Sequence, residues 1–317
     1  MFFDLTDDQL ALQDAVRRLC RERAPMTALR ATEATGGVDA ALWAELAGMG
    51  VFSLRVPEAA GGAGLGWPEA VVVFEELGRA AVPGPLVATH LAAGLVDGVV
   101  GAVAPRPGQP VLVEHLDVLD ALVVVDPAGL RLLDRAEVVG RAVGRPLDPL
   151  TPLHRVDELP AGTPLDIDPD EWRRGGAVLT AALQVGLAAG VLAQAVEYAR
   201  DRRQFQRPIG SFQAVKHRLA DGHVRVEVSR SAVHAAAVGL AEDGDDDGSD
   251  DVDRAVSTAK LVAAEAALEN AKAAVQVNGA MGFTWELDVH LYLKRAWVLD
   301  THYGSIGDHA AAVAAAL

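Results

Sequence analysis

The chain has little cysteine, few aromatic residues and few basic residues for its length. Cys20 is the only cysteine in 317 residues, which excludes an intramolecular disulfide framework and a thiolate metal site and indicates a reducing compartment. There are 28 Lys and Arg against 44 Asp and Glu, a net charge of −16. Since binding to nucleic acid needs clustered cations, this balance argues against such a partner.

Targeting and membrane-spanning signals are also missing. The N-terminus has no basic segment followed by an apolar run, so we expect no signal peptide. Charges are expected to interrupt the apolar stretches before they reach the length of a membrane span. With half of its residues hydrophobic, the chain can fill a core. The composition therefore predicts a soluble, cytoplasmic, globular protein with no membrane contact.

The pattern of apolar residues divides the chain into three parts, 1–100, 101–170 and 171–317. The first and third have helical spacing, whereas the middle part holds most of the prolines and short apolar runs typical of strands. This predicts a mainly α protein with an N-terminal helical domain, a small β domain and a C-terminal helical bundle. Helices are predicted over 4–24, 39–48, 68–80, 177–199, 211–241, 252–275, 287–300 and 306–317, and strands over 111–113, 121–125 and 130–133.

Most generic signals for a site are weak. The acidic segment 242–251 lacks the ligand spacing of a calcium loop and is interpreted as a solvated, mobile connection. The glycines of 61–66 do not have the spacing of a dinucleotide-binding loop. The nine histidines include no His-Glu-x-x-His pair, so no metal site is predicted.

Two segments of the third part are more informative. In 198–213 several arginines stand beside Gln204, Phe205, Phe212 and Gln213, a set suited to holding a phosphate next to a flat ring. The alternative is that these arginines complement the negative end of the preceding helix.

The second segment, 276–286, places glycines at the end of a long helix. Gly279 is a natural helix C-cap, and the same glycines would let a ligand approach the backbone closely.

At these residues the sequence resembles the acyl-CoA dehydrogenases, over about 1–100 and 170–317. Any one match would be weak, but their combination and order are specific. The matching segments are Val56-Pro57-Glu58, Gly61-Gly62, Glu75-Glu76-Leu77-Gly78-Arg79, Arg202-Arg203-Gln204-Phe205, Phe212-Gln213, Gln276-Val277-Asn278-Gly279-Ala280-Met281-Gly282-Phe283 and Lys294-Arg295-Ala296.

The resemblance implies a flavoprotein that removes the α and β hydrogens of an acyl-CoA thioester. In the family a glutamate takes the α-proton as a base, and FAD takes the β-hydride. The resemblance also implies that the two segments reach across to FAD in a neighbouring subunit. The residues it assigns to this contact are Arg202, Gln204, Phe205, Phe212, Gln213, Gln276, Gly279 and Ala280.

The sequence departs from the family where the chemistry should be. Tyr303 stands at the place of the catalytic glutamate, and a phenol with an ordinary pKa near 10 is a poor base for this proton. Some members carry the base on the first bundle helix, at a place that falls on Gly176 here. The β-domain strand that faces the flavin ring has no counterpart, Gln206 replaces a usual glycine, and Ala280 replaces the second glycine of its motif.

Three hypotheses follow from the matches and the departures. The preferred one is a degenerate, non-catalytic subunit of a heteromeric acyl-CoA dehydrogenase, an α2β2 heterotetramer in which a partner supplies the base. The alternatives are a self-sufficient dehydrogenase with a displaced base, for which Glu286 and Asp300 are nearby in sequence, and a flavin-free scaffold. Segments 147–156 and 282–286 resemble actinobacterial enzymes of steroid side-chain degradation, which implies a steroid-derived acyl-CoA as substrate.

Overall fold

The computed structural model describes residues 4–127, 129–242 and 249–316. Residues 243–248 of the acidic segment lie outside the described residues, so the interpretation of that segment as a solvated connection stays a prediction. Helices dominate the described residues, which confirms the mainly α fold class.

The helices lie where the apolar spacing predicts them. Two short helices, α2 and α5, were not predicted because six or seven residues are too few to show a helical period. In chain order, α1 to α10 are Asp7–Arg23, Met26–Ala31, Ala40–Gly48, Trp67–Arg79, Leu86–Ala92, Pro169–Asp201, Gln213–Glu242, Ser249–Asn278, Val289–Asp300 and Ile306–Ala315.

Local capping explains where several helices begin. Thr6 and Gln9 form a reciprocal capping box at the start of α1, with N–H to side-chain distances of 3.2 and 3.0 Å. Helix α6 begins at Pro169, earlier than predicted. Proline suits the first helical position, and the Asp168 carboxylate accepts the N–H of Asp170 at 2.9 Å.

By its contacts the chain forms two compact units. One, here called the helical unit, comprises Met1–Glu22, Trp67–Val82 and Ala177–Leu317. The other, the mixed unit, comprises Arg23–Gly66 and Pro83–Gly176. Both candidate segments, 198–213 and 276–286, belong to the helical unit.

Two sheets occupy the mixed unit. The first has the order β1-β3-β4-β7, with β1 parallel to β3 and the other pairs antiparallel, and the second is the antiparallel sheet β2-β6-β5. The predicted strands are confirmed as β2, β3 and β4, and their buried faces form a shared apolar core that includes Leu122 and Leu133. The strands are Val100–Val103, Val111–Glu114, Ala121–Asp126, Gly129–Asp134, Gly140–Ala142, Leu153–Val156 and Thr163–Leu165.

Close backbone contact holds α4 against α6 in the helical unit. A Cβ atom at Gly186 would lie 1.8 Å from the Glu75 carbonyl oxygen, and one at Gly190 would lie 2.3 Å from that of Arg79. The carboxylate of Glu75 is buried and receives the guanidinium of Arg230 from α7, with an Nη2–Oε1 distance of 2.8 Å. Glycine therefore allows the approach, and an ion pair links these helices to α7.

One expectation about apolar stretches is wrong. Residues 175–196 of helix α6 carry no charged side chain. By length and composition alone, this helix is long and apolar enough to cross a membrane. However, 89% of its most apolar window is buried inside the protein, as in a core helix. This helix is therefore weak evidence for membrane insertion.

Candidate functional site

A tight hairpin follows α6 and carries the first set of candidate residues. Strands β8 (Arg203–Gln204) and β9 (Arg207–Pro208) pair antiparallel, so Phe205 and Gln206 form a two-residue loop. Both loop residues have positive φ, 51° and 64°, as a type I′ turn requires. Residues other than glycine in this region store strain of about 1–3 kcal/mol each, and such strain clusters at functional sites.

The hairpin presents an aromatic ring and positive charge to solvent. The side chain of Phe205 is 85% exposed and meets the half-buried Phe212 edge to face, with 6.1 Å between ring centroids. Arg207 lies over the Phe212 ring at 4.1 Å. The guanidinium of Arg202 has no hydrogen bond or ion pair with any residue that the structure describes. An unengaged guanidinium is available to an anion, and the alternative role at the helix end stays open.

The amide side chains of this segment are exposed as well. Gln204 donates from Nε2 to the carbonyl of Arg203 at 2.9 Å, and Gln213 is the first residue of α7. The hairpin and the start of α7 therefore form one surface of exposed donors around the two phenylalanine rings.

The second candidate segment forms the end of α8. The helix ends at Asn278, and Gly279 follows with φ 62°, which confirms its predicted C-cap role. A Cβ atom on Gly279 would meet nothing within 4 Å, so the surface above it is open. Gln276 and Ala280 are exposed beside it. A ligand can therefore approach the backbone here, although alanine replaces one glycine of the motif.

A groove of about 310 Å³ lies between the start of α7 and the end of α8. Ala214, next to Gln213, lines one side, and Ala273, one turn before Gln276, lines the other. These two alanines are close in sequence to candidate residues, but none of the residues assigned to the FAD contact lines the groove itself. The remaining lining residues carry charge or an imidazole: His217, Arg218, Asp221, Arg225, Glu269 and Lys272.

The turn that carries Tyr303 lies between α9 and α10. Tyr303 has φ 52°, and Gly304 follows with φ 103°. The carbonyl of Tyr303 accepts a hydrogen bond from Nε2 of His309 at 2.9 Å. Asp300 accepts the N–H of Ile306 at 2.9 Å. These contacts hold the strained turn in place.

A buried lysine completes this turn, and sequence reasoning missed it. Lys260 on α8 is fully buried and donates to the carbonyls of Leu299 and Gly304 at 3.3 and 3.1 Å. Burial lowers its pKa to about 8, against the attraction of Asp300 and Asp308. A single lysine within an alanine-rich helix gives no motif, so only the packing reveals its role.

Asp300 and Glu286 are the two carboxylates considered as displaced bases, and the structure shows the contacts of both. Asp300 is engaged as an acceptor in the turn. Glu286 is exposed, and its Oε2 lies 3.4 Å from the hydroxyl of Thr284. Asp300 is half-buried and Glu286 is exposed, so neither lies in an enclosed pocket of the kind that holds a carboxylate base against its substrate.

Comparisons with known proteins agree with the resemblance. Residues 6–99 match the family model "Acyl-CoA dehydrogenase, N-terminal domain", and residues 174–317 match "Acyl-CoA dehydrogenase, C-terminal domain". Acyl-CoA dehydrogenase IpdE2 of Mycobacterium tuberculosis is 34% identical over 92% of this chain and 91% of its own length.

Two further relatives bear on subunit organisation. Acyl-CoA dehydrogenase FadE34 of Mycobacterium tuberculosis is 33% identical over 97% of this chain but only 47% of its own length. A solved structure, the Tcur3481-Tcur3483 steroid ACAD variant, has a TM-score of 0.81 and 26% identity, covering 98% of this chain and 97% of that one.

The family models together span most of the chain, and a relative of nearly the same length shares a third of its residues with it. The candidate segments lie within the matched C-terminal region. The chain therefore belongs to the acyl-CoA dehydrogenase family of oxidoreductases.

Proposed function

We propose that this chain is the non-catalytic subunit of a heteromeric, FAD-dependent acyl-CoA dehydrogenase. The complex introduces an α,β double bond into an acyl-CoA thioester. The observation that carries the proposal is the exposed hairpin of Arg202 and Phe205. The resemblance to the family, which places Tyr303 at the position of the catalytic glutamate, supports it.

The residues present fit the outer part of a flavin nucleotide. A pyrophosphate needs cations and N–H donors, and Arg202 offers an unengaged guanidinium at the hairpin. A flat ring system needs an aromatic or open surface, which Phe205 and the backbone at Gly279 provide. When bound, FAD supplies the two-electron acceptor of the dehydrogenation. In the proposed complex this chain binds and orients the nucleotide, and the partner holds the acyl group.

The missing base supports a partner subunit. Abstraction of the α-proton needs a carboxylate beside the thioester, and neither Asp300 nor Glu286 is arranged as one. FadE34 has room for a second segment as long as this chain, and the Tcur3481-Tcur3483 structure pairs two named components. Both facts support a two-part enzyme, which we propose to be an α2β2 heterotetramer in the cytoplasm.

The substrate is proposed by analogy with those relatives. The solved neighbour is named a steroid ACAD, and segments 147–156 and 282–286 resemble steroid side-chain enzymes. We therefore propose a steroid-derived acyl-CoA, whose bulky rings need more space than a straight acyl chain.

The proposal is tested by expressing the chain alone and together with a dehydrogenase-like chain from a neighbouring gene. We expect a colourless chain alone and a yellow complex whose absorbance gives one FAD for each pair of unlike chains. A full flavin complement on the chain alone, with turnover, would favour the self-sufficient dehydrogenase. A stable complex without flavin would favour the scaffold.

A further inference from the structure

Two buried polar side chains lie one turn apart on α6 within the helical unit. Thr180 and Gln184 are both 0% exposed. Neither the Thr180 hydroxyl nor either end of the Gln184 amide has a hydrogen-bond partner among the residues that the structure describes. Exchanging the amide oxygen and nitrogen does not help, because both atoms lack a partner. Each unsatisfied buried group costs about 1–3 kcal/mol, so a native protein needs a reason to keep three of them.

A second buried amide nearby shows what full pairing looks like. Asn270 of α8 is 1% exposed, and its Nδ2 donates to the carbonyls of Ala188 and Gly222 at 3.4 and 3.0 Å. Its Oδ1 accepts from Arg225 at 3.4 Å. The same bundle therefore satisfies one buried amide with protein groups and leaves another without them.

Helix geometry shows where the unpaired groups face. Residues four apart form a continuous row along a helix, so Thr180 and Gln184 continue the row of Ala188 and Leu192. The Ala188–Leu192 end of that row faces α7 and α8, since Asn270 reaches the carbonyl of Ala188 and the Gly222 position packs against Leu192. Helix α4 packs on α6 at Gly186 and Gly190 and also at Leu183, whose carbonyl oxygen would lie 2.1 Å from a Cβ atom at Gly78, so the two polar side chains lie close to the contact with α4 as well.

We propose that Thr180 and Gln184 form an internal hydration site in the helical unit, which binds ordered water between α6 and its neighbours. Water is the ligand that these atoms select. The amide nitrogen needs an acceptor, the amide oxygen needs a donor, and the hydroxyl can act as either. Side chains at i and i+4 are about 6 Å apart, a span that one bridging water covers with two hydrogen bonds.

The proposal concerns the packing of the bundle and is independent of the proposed subunit function. Its test uses the full chain and the variants Thr180→Val, Gln184→Leu and the double variant, with thermal unfolding as the measurement. With water bound, each single variant lowers the melting temperature. The melting temperature of the double variant falls by less than the sum of the two single decreases, because both side chains share one water ligand. Asn270→Leu is the matched control and must lower the melting temperature, since it leaves the carbonyls of Ala188 and Gly222 without the amide that donates to them.

A direct measurement identifies the ligand. In the wild type we expect a cross-relaxation signal between water and the side-chain amide of Gln184, assigned by its loss in Gln184→Leu. Thr180→Ser keeps the hydroxyl and should keep this signal. If a core variant does not fold, the wild-type signal decides alone. A higher melting temperature in both single variants, with additive effects and no water signal, would overturn the proposal, because it would mean that two polar groups sit in a dry core.

Discussion

The ammonium group of Lys260 lies 3.1 Å from the carbonyl oxygen of Gly304, the residue that follows Tyr303. His309 fixes the preceding carbonyl from α10. The turn is therefore held from two helices, α8 and α10.

Lys260 makes stability depend on pH in a defined window. Its pKa falls from 10.5 to about 8 on folding. Between these values the unfolded chain binds a proton that the folded chain does not, so stability rises with pH. Relative to Lys260→Met, the free energy of unfolding of the wild type should rise by on the order of 3 kcal/mol between pH 8 and pH 10.5. Urea unfolding of both proteins at several pH values measures this gain, and a stability difference that does not change with pH would contradict the prediction.

Arg202→Ala is expected to weaken flavin retention in the complex. Losing one charge-assisted contact to a phosphate costs about 1.5–3 kcal/mol, or roughly ten- to a hundredfold in affinity. Flavin release on dilution measures the change. Arg200→Ala, an exposed arginine in the last turn of α6, serves as the control and should leave retention unaltered. Equal retention in both variants would return Arg202 to a role at the helix end.

Tyr303→Phe should leave turnover of the complex nearly intact. The phenol hydroxyl has no proton to abstract in the proposed function, and Phe preserves the ring. Removing a true general base costs about a hundredfold or more, so steady-state kinetics separate the two outcomes. A loss of that size, with assembly and flavin content unchanged, would show that this chain carries chemistry.

Glu75→Gln is expected to destabilise the helical unit. Burial alone raises the pKa of Glu75, but the nearby His234, at 3.9 Å, and the hydrogen-bonded Arg230 outweigh it and lower the pKa to about 2. The change should reduce the free energy of unfolding by about 3 kcal/mol, at the low end for a buried pair since Arg230 retains some exposure. Glu227→Gln removes the more exposed partner of Arg230 and should cost less than about 1 kcal/mol.

The Glu75 carboxylate also makes the stability of the folded protein depend on pH in the acid range. Because its folded pKa lies below the ordinary value of 4.5, its contribution is complete above that value and is lost as pH falls towards 2. The stability difference between wild type and Glu75→Gln should shrink across this window. A difference that is constant with pH would contradict this prediction, because it would mean that folding does not change the pKa of Glu75.

The sequence by itself determined the long helices, three of the strands and the family. Each long helix repeats its apolar spacing over several turns, as in α1 and α8, and the motif residues lie in order along the chain. It also predicted the C-cap at Gly279, because glycine tolerates positive φ without a Cβ atom. These are local properties that neighbouring residues decide.

Only the tertiary structure decided which polar groups are paired. Lys260 meets the turn after Tyr303, Asn270 finds its partners, and Thr180 and Gln184 find none among the described residues. These outcomes depend on contacts between helices far apart in sequence, and an isolated lysine or glutamine carries no periodic signal. The positive φ of Phe205 and Gln206 belongs here as well. Their intrinsic preferences oppose that conformation, so the pairing of the flanking strands must impose it.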